Sequence, residues 1–351
     1  MTVYFAMLTF ICFLALSSLF LPKRMGLVRH GISLVGYGSM CIFIGLRDHI
    51  GGDWNAYREI FQAISELPIL QVFFVTEPLY AVCNRLVYAV GGDIHIVNLI
   101  CATIMLAGLF KFSRLAEIDA NLLLFIAAPY LLFVVGMGYT RQSVALGLSL
   151  AAVGYLRRQR VRPFYFLTTL AALFHYSAIF LILLWWINSK KRMLIAFGML
   201  IVASPLIFFF ALRERYYTMY LSGSTQTESH GVWARLFIVM VGIAVVFVQR
   251  SRWIREDGLR RAIIRGGVAL SFLILVSFFL STMADRLCLY LMFIYLLAFG
   301  YMIRYAHPPF RYLSLLLILS FSYSIFLVWF QFSSFATAAW YPYAMAVSGA
   351  N

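Results

Sequence analysis

Long apolar runs alternate with short polar segments along the whole chain. Runs long enough to cross a bilayer, roughly 17–25 residues, cover 3–21, 94–112, 120–138, 193–211, 233–249, 266–283, 285–303 and 312–330. Two shorter runs, 32–46 and 140–156, reach that length with a few flanking residues. A segment crossing hydrocarbon must satisfy its backbone groups internally, so each run is predicted to be a helix. The pattern predicts an all-α polytopic integral membrane protein, read as a single transmembrane domain over 1–351.

Composition agrees. Of 351 residues, 63% are hydrophobic and 12% charged, against about 25% charged in soluble domains. Residues 3–21 resemble a signal peptide in length. However, the basic residues follow the run instead of preceding it, and no A-x-A cleavage site is evident. A retained first span is expected.

The formal charge of +15 reads first as a topology signal, not as a nucleic-acid footprint. Basic residues concentrate after the first run (Lys23, Arg24, Arg29), after 94–112 (Lys111, Arg114) and at Arg157, Arg158, Arg160 and Arg162. They recur at Lys190, Lys191 and Arg192, between 250 and 265, and at Arg304 with Arg311. The positive-inside rule makes these six segments cytoplasmic. One stretch, 163–187, then has both ends inside yet is too short for two spans of about 20 residues each. A re-entrant helical hairpin turning near "LFHYS", residues 173–177, restores alternation. A single span there would instead put "QRSRWIREDGLRR" outside, against a strong charge cluster. The expectation is ten transmembrane helices plus the hairpin, with both termini outside and 47–93 and 212–232 as the main outer segments.

The basic residues left on the outer face are all Arg: 47, 58, 85, 141, 213, 215, 235 and 286. Arg offers a planar fork that binds phosphate bidentately and stays charged when partly buried. The alternative is pairing with outer carboxylates, for example Asp285 with Arg286 or Arg213 with Glu214. Arg141 and Arg235 start spans with no acid nearby in sequence, which favours a pyrophosphate role.

Within "RDHIGGDWNAY", residues 47–57, Gly51-Gly52 marks a turn and Asp53 is placed to N-cap a helix over 54–66. Trp54, Tyr57, Phe61 and Ile64 form one apolar stripe, as in a helix lying flat at the interface. Asp53 or Asp48 reads either as a structural residue or as a general base. Pro78 can open a second helix, with Glu77 just ahead of it and Asn84 and Arg85 about two turns in. His175 falls at the expected break and reads either as a satisfied core histidine or as a base or anion ligand. The five cysteines show no C-x-x-C and no Cys/His cluster, so neither a metal site nor a disulfide framework is expected. No Walker sequence or G-x-G-x-x-G occurs.

Taken in order, Arg47–Tyr57, "EPLY" at Glu77–Tyr80, "GYTRQSVA" at Gly138–Ala145, "AALFHYSA" at Ala171–Ala178 and Asp285-Arg286 before a Tyr-rich span resemble the EpsG-type branch of Wzy-like polysaccharide polymerases. The resemblance covers most of the chain. It implies a fold similar to C-type glycosyltransferases, in the bacterial inner membrane with the active site facing the periplasm. It also implies an enzyme joining repeat units carried on undecaprenyl pyrophosphate into O-antigen, capsule or exopolysaccharide. On that pattern Asp53 is the first choice of base, with Asp48 and Glu77 behind it. Arg141, Arg286 and Arg47 would hold the pyrophosphate, and His175 and Tyr139 would line the same cavity. Gln142, Tyr57, Asn84 and Arg235 join them as candidates for contacts to sugar and pyrophosphate. A chain-length regulator is a candidate partner. The 212–232 loop matches no pattern.

A lipid pyrophosphate is already an activated leaving group, so no nucleotide, metal or redox cofactor is expected. Two other functions remain open. A flippase of lipid-linked oligosaccharide would show ionisable residues on both halves of a pathway and internal repeats, and no repeat is visible. An acyltransferase modifying a surface glycan would use His175 as base, but its acyl donor would come from the cytoplasmic side.

Overall fold

A computed structural model of the chain describes residues 1–22, 24–182, 229, 231–249 and 257–346. In chain order its helices are α1 (Thr2–Phe20), α2 (Gly26–Gly45), α3 (Trp54–Glu66), α4 (Pro78–Ala89), α5 (Ile94–Ala116), α6 (Ala120–Ala127), α7 (Thr140–Arg157) and α8 (Val161–Phe174). Then come α9 (Val232–Val248), α10 (Asp257–Ser277), α11 (Ser281–Cys288), α12 (Met292–Tyr305), α13 (Pro308–Phe332) and α14 (Ser334–Ala339). α6 continues as a wider π-helix, Ala128–Gly136. Two short strands, β1 (Arg47–Asp48) and β2 (Ala344–Met345), pair antiparallel.

Among the described residues, five helices are long and apolar enough to cross a membrane: Thr2–Phe20, Gly26–Gly45, Ile94–Ala116, Ser281–Tyr305 and Pro309–Phe332. Shorter apolar helices stand at Ala120–Gly136, Val161–Phe174, Val232–Val248 and Ile263–Ser277. The stretch 140–156, expected as a span, is helical as α7, but α7 is not among these apolar helices. The expected span at 193–211, the outer loop over 212–228 and the return limb of the hairpin at 183–187 lie outside the described residues. The break expected at "LFHYS" is present: α8 stops at Phe174, His175 is extended, and a 3-10 turn follows at Tyr176–Ile179.

Contacts divide the chain into two units, Met1–Tyr176 with Phe299–Asn351, and Ser177–Ala298. In the first, α5 and α7 cross at van der Waals distance because both carry glycine. A Cβ on Gly108 would lie 2.1 Å from the Gly147 carbonyl oxygen, and one on Gly147 would lie 2.5 Å from the Met105 Cα. Small residues at such a crossing let helix backbones approach where lipid gives no hydrophobic drive to association.

The two ends of this unit differ in chemistry. At one end, arginines satisfy the last carbonyls of α5. Arg157 donates to the Leu115 carbonyl at 2.7 Å, and Arg304 to those of Ala116 (3.1 Å) and Glu117 (3.0 Å). Arg158 and Arg304 both pair with the Glu117 side chain, and Arg29 pairs with Asp119 at 2.6 Å. Cations at a helix C-terminus complement its dipole.

At the opposite end the C-terminal tail straps the first loop. β2 pairs with β1 in the register Arg47↔Met345, and the Gly51 amide donates to the Ala339 carbonyl at 2.8 Å. Tyr4 donates to the Trp340 carbonyl at 2.9 Å, and the Trp340 indole to that of Phe133 at 2.8 Å. Gly51 adopts φ +107°, where a Cβ would come within 2.3 Å of the Met137 carbonyl oxygen, so this turn requires glycine.

In the second unit, Gly242 of α9 allows a comparably close crossing. A Cβ there would lie 2.8 Å from the Cα of Tyr295 in α12.

One local expectation is corrected. The apolar stripe of α3 is not laid out flat for lipid. Trp54, Tyr57, Ile60 and Ile64 are buried, Phe61 is half-buried, and the outward residues are polar apart from Ala63. The exposed apolar surface lies just beyond, at Ile69, Leu70, Phe73 and Phe74.

Candidate active site

Three helix ends bring chemistry together in the first unit. Glu77 occupies the N-cap position of α4, where Pro78 opens the helix. Arg141 lies in the first turn of α7. His175 caps the C-terminus of α8. Because α7 and α8 run antiparallel through a short turn, the end of α8 returns to the level where α7 begins.

Glu77 is 1% exposed and fully engaged. Its Oε2 accepts from Arg141 Nη1 at 2.5 Å and from the Thr76 hydroxyl at 2.8 Å, and its Oε1 lies 2.8 Å from His175 Nδ1. Burial alone would raise this carboxyl. The Arg141 guanidinium and the His175 hydrogen bond overcome that and hold it well below the usual carboxylate range. An ionised carboxylate can only accept, so Nδ1 of His175 carries the proton. In the neutral ring Nε2 is then the basic atom.

Arg141 is held by more than Glu77. Nη1 also donates to Thr76 Oγ1 at 2.9 Å, and the guanidinium carbon lies 5.5 Å from the Tyr57 ring centroid and 6.0 Å from that of Tyr80. Such stacking holds the fork by cation–π attraction. Its Nε is buried without a hydrogen-bond partner. The Nε/Nη2 edge is the one that meets phosphate in a bidentate pair.

The other sequence candidates fall around or apart from this cluster. Tyr57 is buried beneath Arg141, and its hydroxyl accepts from the Arg141 amide at 3.4 Å. Asn84 is buried in α4, donating to the Tyr80 carbonyl at 2.7 Å. Gln142 is buried in the first turn of α7, and Tyr139 precedes that helix, half-buried. Asp53 stands at the α3 N-cap as expected, but its side chain makes no cap hydrogen bond; it is half-buried, and its charge acts on Tyr57. Asp48 is turned to α5, where its Oδ1 lies 3.0 Å from His95 Nε2. Arg47 is 1% exposed and points inward. It donates to the carbonyls of Ile44 (2.7 Å) and Ile50 (3.2 Å) and to Thr140 Oγ1 (2.8 Å). Burial pulls it down to about 10, so it stays charged at neutral pH as a staple joining the first loop to α7.

In the second unit, Arg235 in the first turn of α9 forms a buried ion pair with Asp285 of α11. Asp285 therefore pairs across the fold and not with the adjacent Arg286, which is half-buried. Arg141 and Arg235, which lack acids nearby in sequence, each have a distant one in space. Thr76 and Tyr80 were not singled out by sequence reasoning, although Tyr80 ends the same E-P-L-Y motif one helical turn after Glu77. Among the described residues, no group of three or more His, Cys, Asp or Glu side chains could hold a metal ion.

Apolar helices of this number make the chain a membrane-embedded, predominantly helical protein. It belongs to the EpsG family, a Wzy-like polysaccharide polymerase family, which it matches over residues 32–345. Comparison with curated proteins and with solved structures finds no match.

Proposed function

We propose that the chain is a membrane glycosyltransferase that joins oligosaccharide units carried on undecaprenyl pyrophosphate, with Glu77, Arg141 and His175 as its centre. The observation that carries this reading is the guanidinium of Arg141. Its Nη1 is clamped by a buried carboxylate while its Nε is buried without a hydrogen-bond partner, in a chain of a polysaccharide polymerase family.

In the reaction, an acceptor sugar hydroxyl attacks the anomeric carbon of the donor. A C–O bond forms, the bond to the pyrophosphate oxygen breaks, and the electron pair leaves with the lipid pyrophosphate. Arg141 meets the departing charge through Nε and Nη2, an electrostatic contribution aimed at where charge develops. The acceptor proton goes to His175 Nε2, and Glu77 steadies the resulting imidazolium through Nδ1. On this reading Glu77 is not itself the base, because three cationic or donor partners, Arg141, Thr76 and His175, already stabilise its ionised form. Asp53, half-buried beside Tyr57, is assigned to acceptor binding, and Gln142, Tyr139 and Asn84 to the surroundings of the sugar.

The sidedness proposed is that of the charge pattern, with the site end outward and the arginine-capped end of α5 inward. α8 has 14 residues, about 21 Å at 1.5 Å per residue, short of a core about 30 Å thick. That length and the break at His175 support the re-entrant reading of 163–187.

The test is the glycan made by Arg141→Lys and His175→Gln variants that insert normally. Single lipid-linked units should accumulate and long chains disappear. Polymer ladders persisting in Arg141→Lys would remove the bidentate pyrophosphate role.

A further inference from the structure

Away from the Glu77 cluster, a second histidine lies between two carboxylates. His95 stands in the first turn of α5. Its Nδ1 lies 3.0 Å from Asp93 Oδ2 and its Nε2 lies 3.0 Å from Asp48 Oδ1. An ionised carboxylate offers no proton, so both ring nitrogens donate and the ring is an imidazolium. Asp93 is itself fixed, because its Oδ1 caps α5 by accepting from the amides of His95 (3.1 Å) and Ile96 (3.2 Å). The other groups facing this cluster are His49, whose Nε2 lies 3.9 Å from the same Asp48 oxygen, and Trp54, whose ring packs 5.5 Å from that of His95. Arg47 lies across the indole, its guanidinium carbon 5.9 Å from the ring.

Asp48 and His95 close a circuit through three elements. Asp48 ends β1, and its neighbour Arg47 donates to Thr140 Oγ1 at the start of α7. Thr140 donates in turn to Asn98 Oδ1 at 3.3 Å, one turn beyond His95 on α5. β1, α5 and the first turn of α7 are therefore joined in a ring, and Arg141 is the next residue of that turn. The loop leaving β1 is not relaxed. His49 adopts φ +53° and Gly51 φ +107°, and a non-glycine residue in the left-handed region persists only where its surroundings fix it.

We propose that the His95 imidazolium is a latch that fastens β1 to α5 and so positions the start of α7. Loss of one proton turns one ring nitrogen into an acceptor that faces a carboxylate oxygen. Asp93 is held by the two amides it caps, so the remaining proton stays on Nδ1 and the arm to Asp48 opens. The latch is closed while the ring is doubly protonated and opens as pH rises through its titration. The latch stands apart from any reaction, whereas its bearing on transfer rests on Arg141 as the pyrophosphate ligand proposed above.

Hydrogen exchange on the full chain in detergent reads the latch directly. Peptides covering 46–53 and 137–144 are followed at about pH 6 and about pH 9, on either side of ordinary histidine titration, with intrinsic rates divided out. The wild-type should be protected at the lower pH and lose about tenfold in protection at the higher, the weight of one charge-assisted hydrogen bond. His95→Gln should lack that protection at both. His95→Lys, whose ammonium can donate to both carboxylates and keeps its charge across this range, should retain it at both. Equal protection in wild-type and His95→Gln would overturn the latch, and a wild-type without the pH step would overturn its titration. Loosening of 46–53 with 137–144 unchanged would overturn the positioning of α7. Transfer of lipid-linked units should follow the same pattern, with kcat lowered about tenfold in His95→Gln and restored in His95→Lys. Altered exchange with unchanged transfer would overturn the link to Arg141. A wild-type that transfers nothing overturns the proposed reaction, and the exchange data then decide the latch separately.

Discussion

At the scale of single residues, the centre is an ion pair whose members depend on each other. Glu77 is 1% exposed, and removing one partner of a buried pair leaves a charge uncompensated, typically at about 3–5 kcal/mol. Glu77→Gln and Arg141→Gln are each expected to destabilise the protein in detergent, and the double variant by less than their sum. A double-mutant cycle on thermal unfolding reads the coupling, and additive losses would mean the contact carries no energy. The proton acceptor is checked separately. His175→Gln is expected to lose about 10²–10⁴-fold in transfer rate, the usual contribution of a general base, at unchanged yield of inserted protein. Asp53→Asn, whose side chain does not even cap α3, is expected to lose far less. If the two rank the other way in a transfer assay with lipid-linked units, Asp53 is the base.

At the scale of elements, helix existence is legible in the sequence and helix pairing is not. Gly51-Gly52 as a turn, Pro78 as a helix opener and the break at His175 all follow from local chemistry and recur in the structure. The partners of Arg141 and Arg235 do not, because Glu77 is 64 residues from Arg141 and no local pattern links them. Arg47 reads as a surface cation in sequence, yet three nearby acceptors draw it inside. The stripe of α3 is genuine, but periodicity cannot say whether lipid or protein covers it. The α5–α7 crossing can be probed directly. Gly108→Ala should force the backbones apart, at about the 1–3 kcal/mol of overpacking. Gly38→Ala, whose Cβ meets open space, should stay within about 0.5 kcal/mol of wild-type, the usual range for surface changes. Equal melting temperatures for the two variants would show that the crossing tolerates a methyl group.

At the scale of the whole molecule, the site ties acid stability to a single carboxylate. The Glu77 carboxyl is held below its ordinary value of 4.5 by Arg141 and His175, against the opposing effect of burial. A group whose folded pKa is depressed stabilises the fold fully above its unfolded value, and that stability is lost as pH falls toward the folded value. The wild-type protein should therefore be indifferent to this group at neutral pH and lose stability as pH drops below 4.5. Glu117 is also lowered, chiefly by Arg304, but at 41% side-chain exposure solvent screens its contribution. Glu77→Gln removes the titrating group and keeps the shape, so its unfolding curve should start lower and fall less steeply between about pH 5 and pH 3. Thermal unfolding of both proteins across that range gives the difference directly. Parallel curves would mean that Glu77 does not hold its proton-free state against burial, and the Arg141–Glu77–His175 linkage would then fail as the electrostatic core of the site. Converging curves would place the acid-sensitive contact of the first unit at the same three helix ends that are proposed to carry the chemistry.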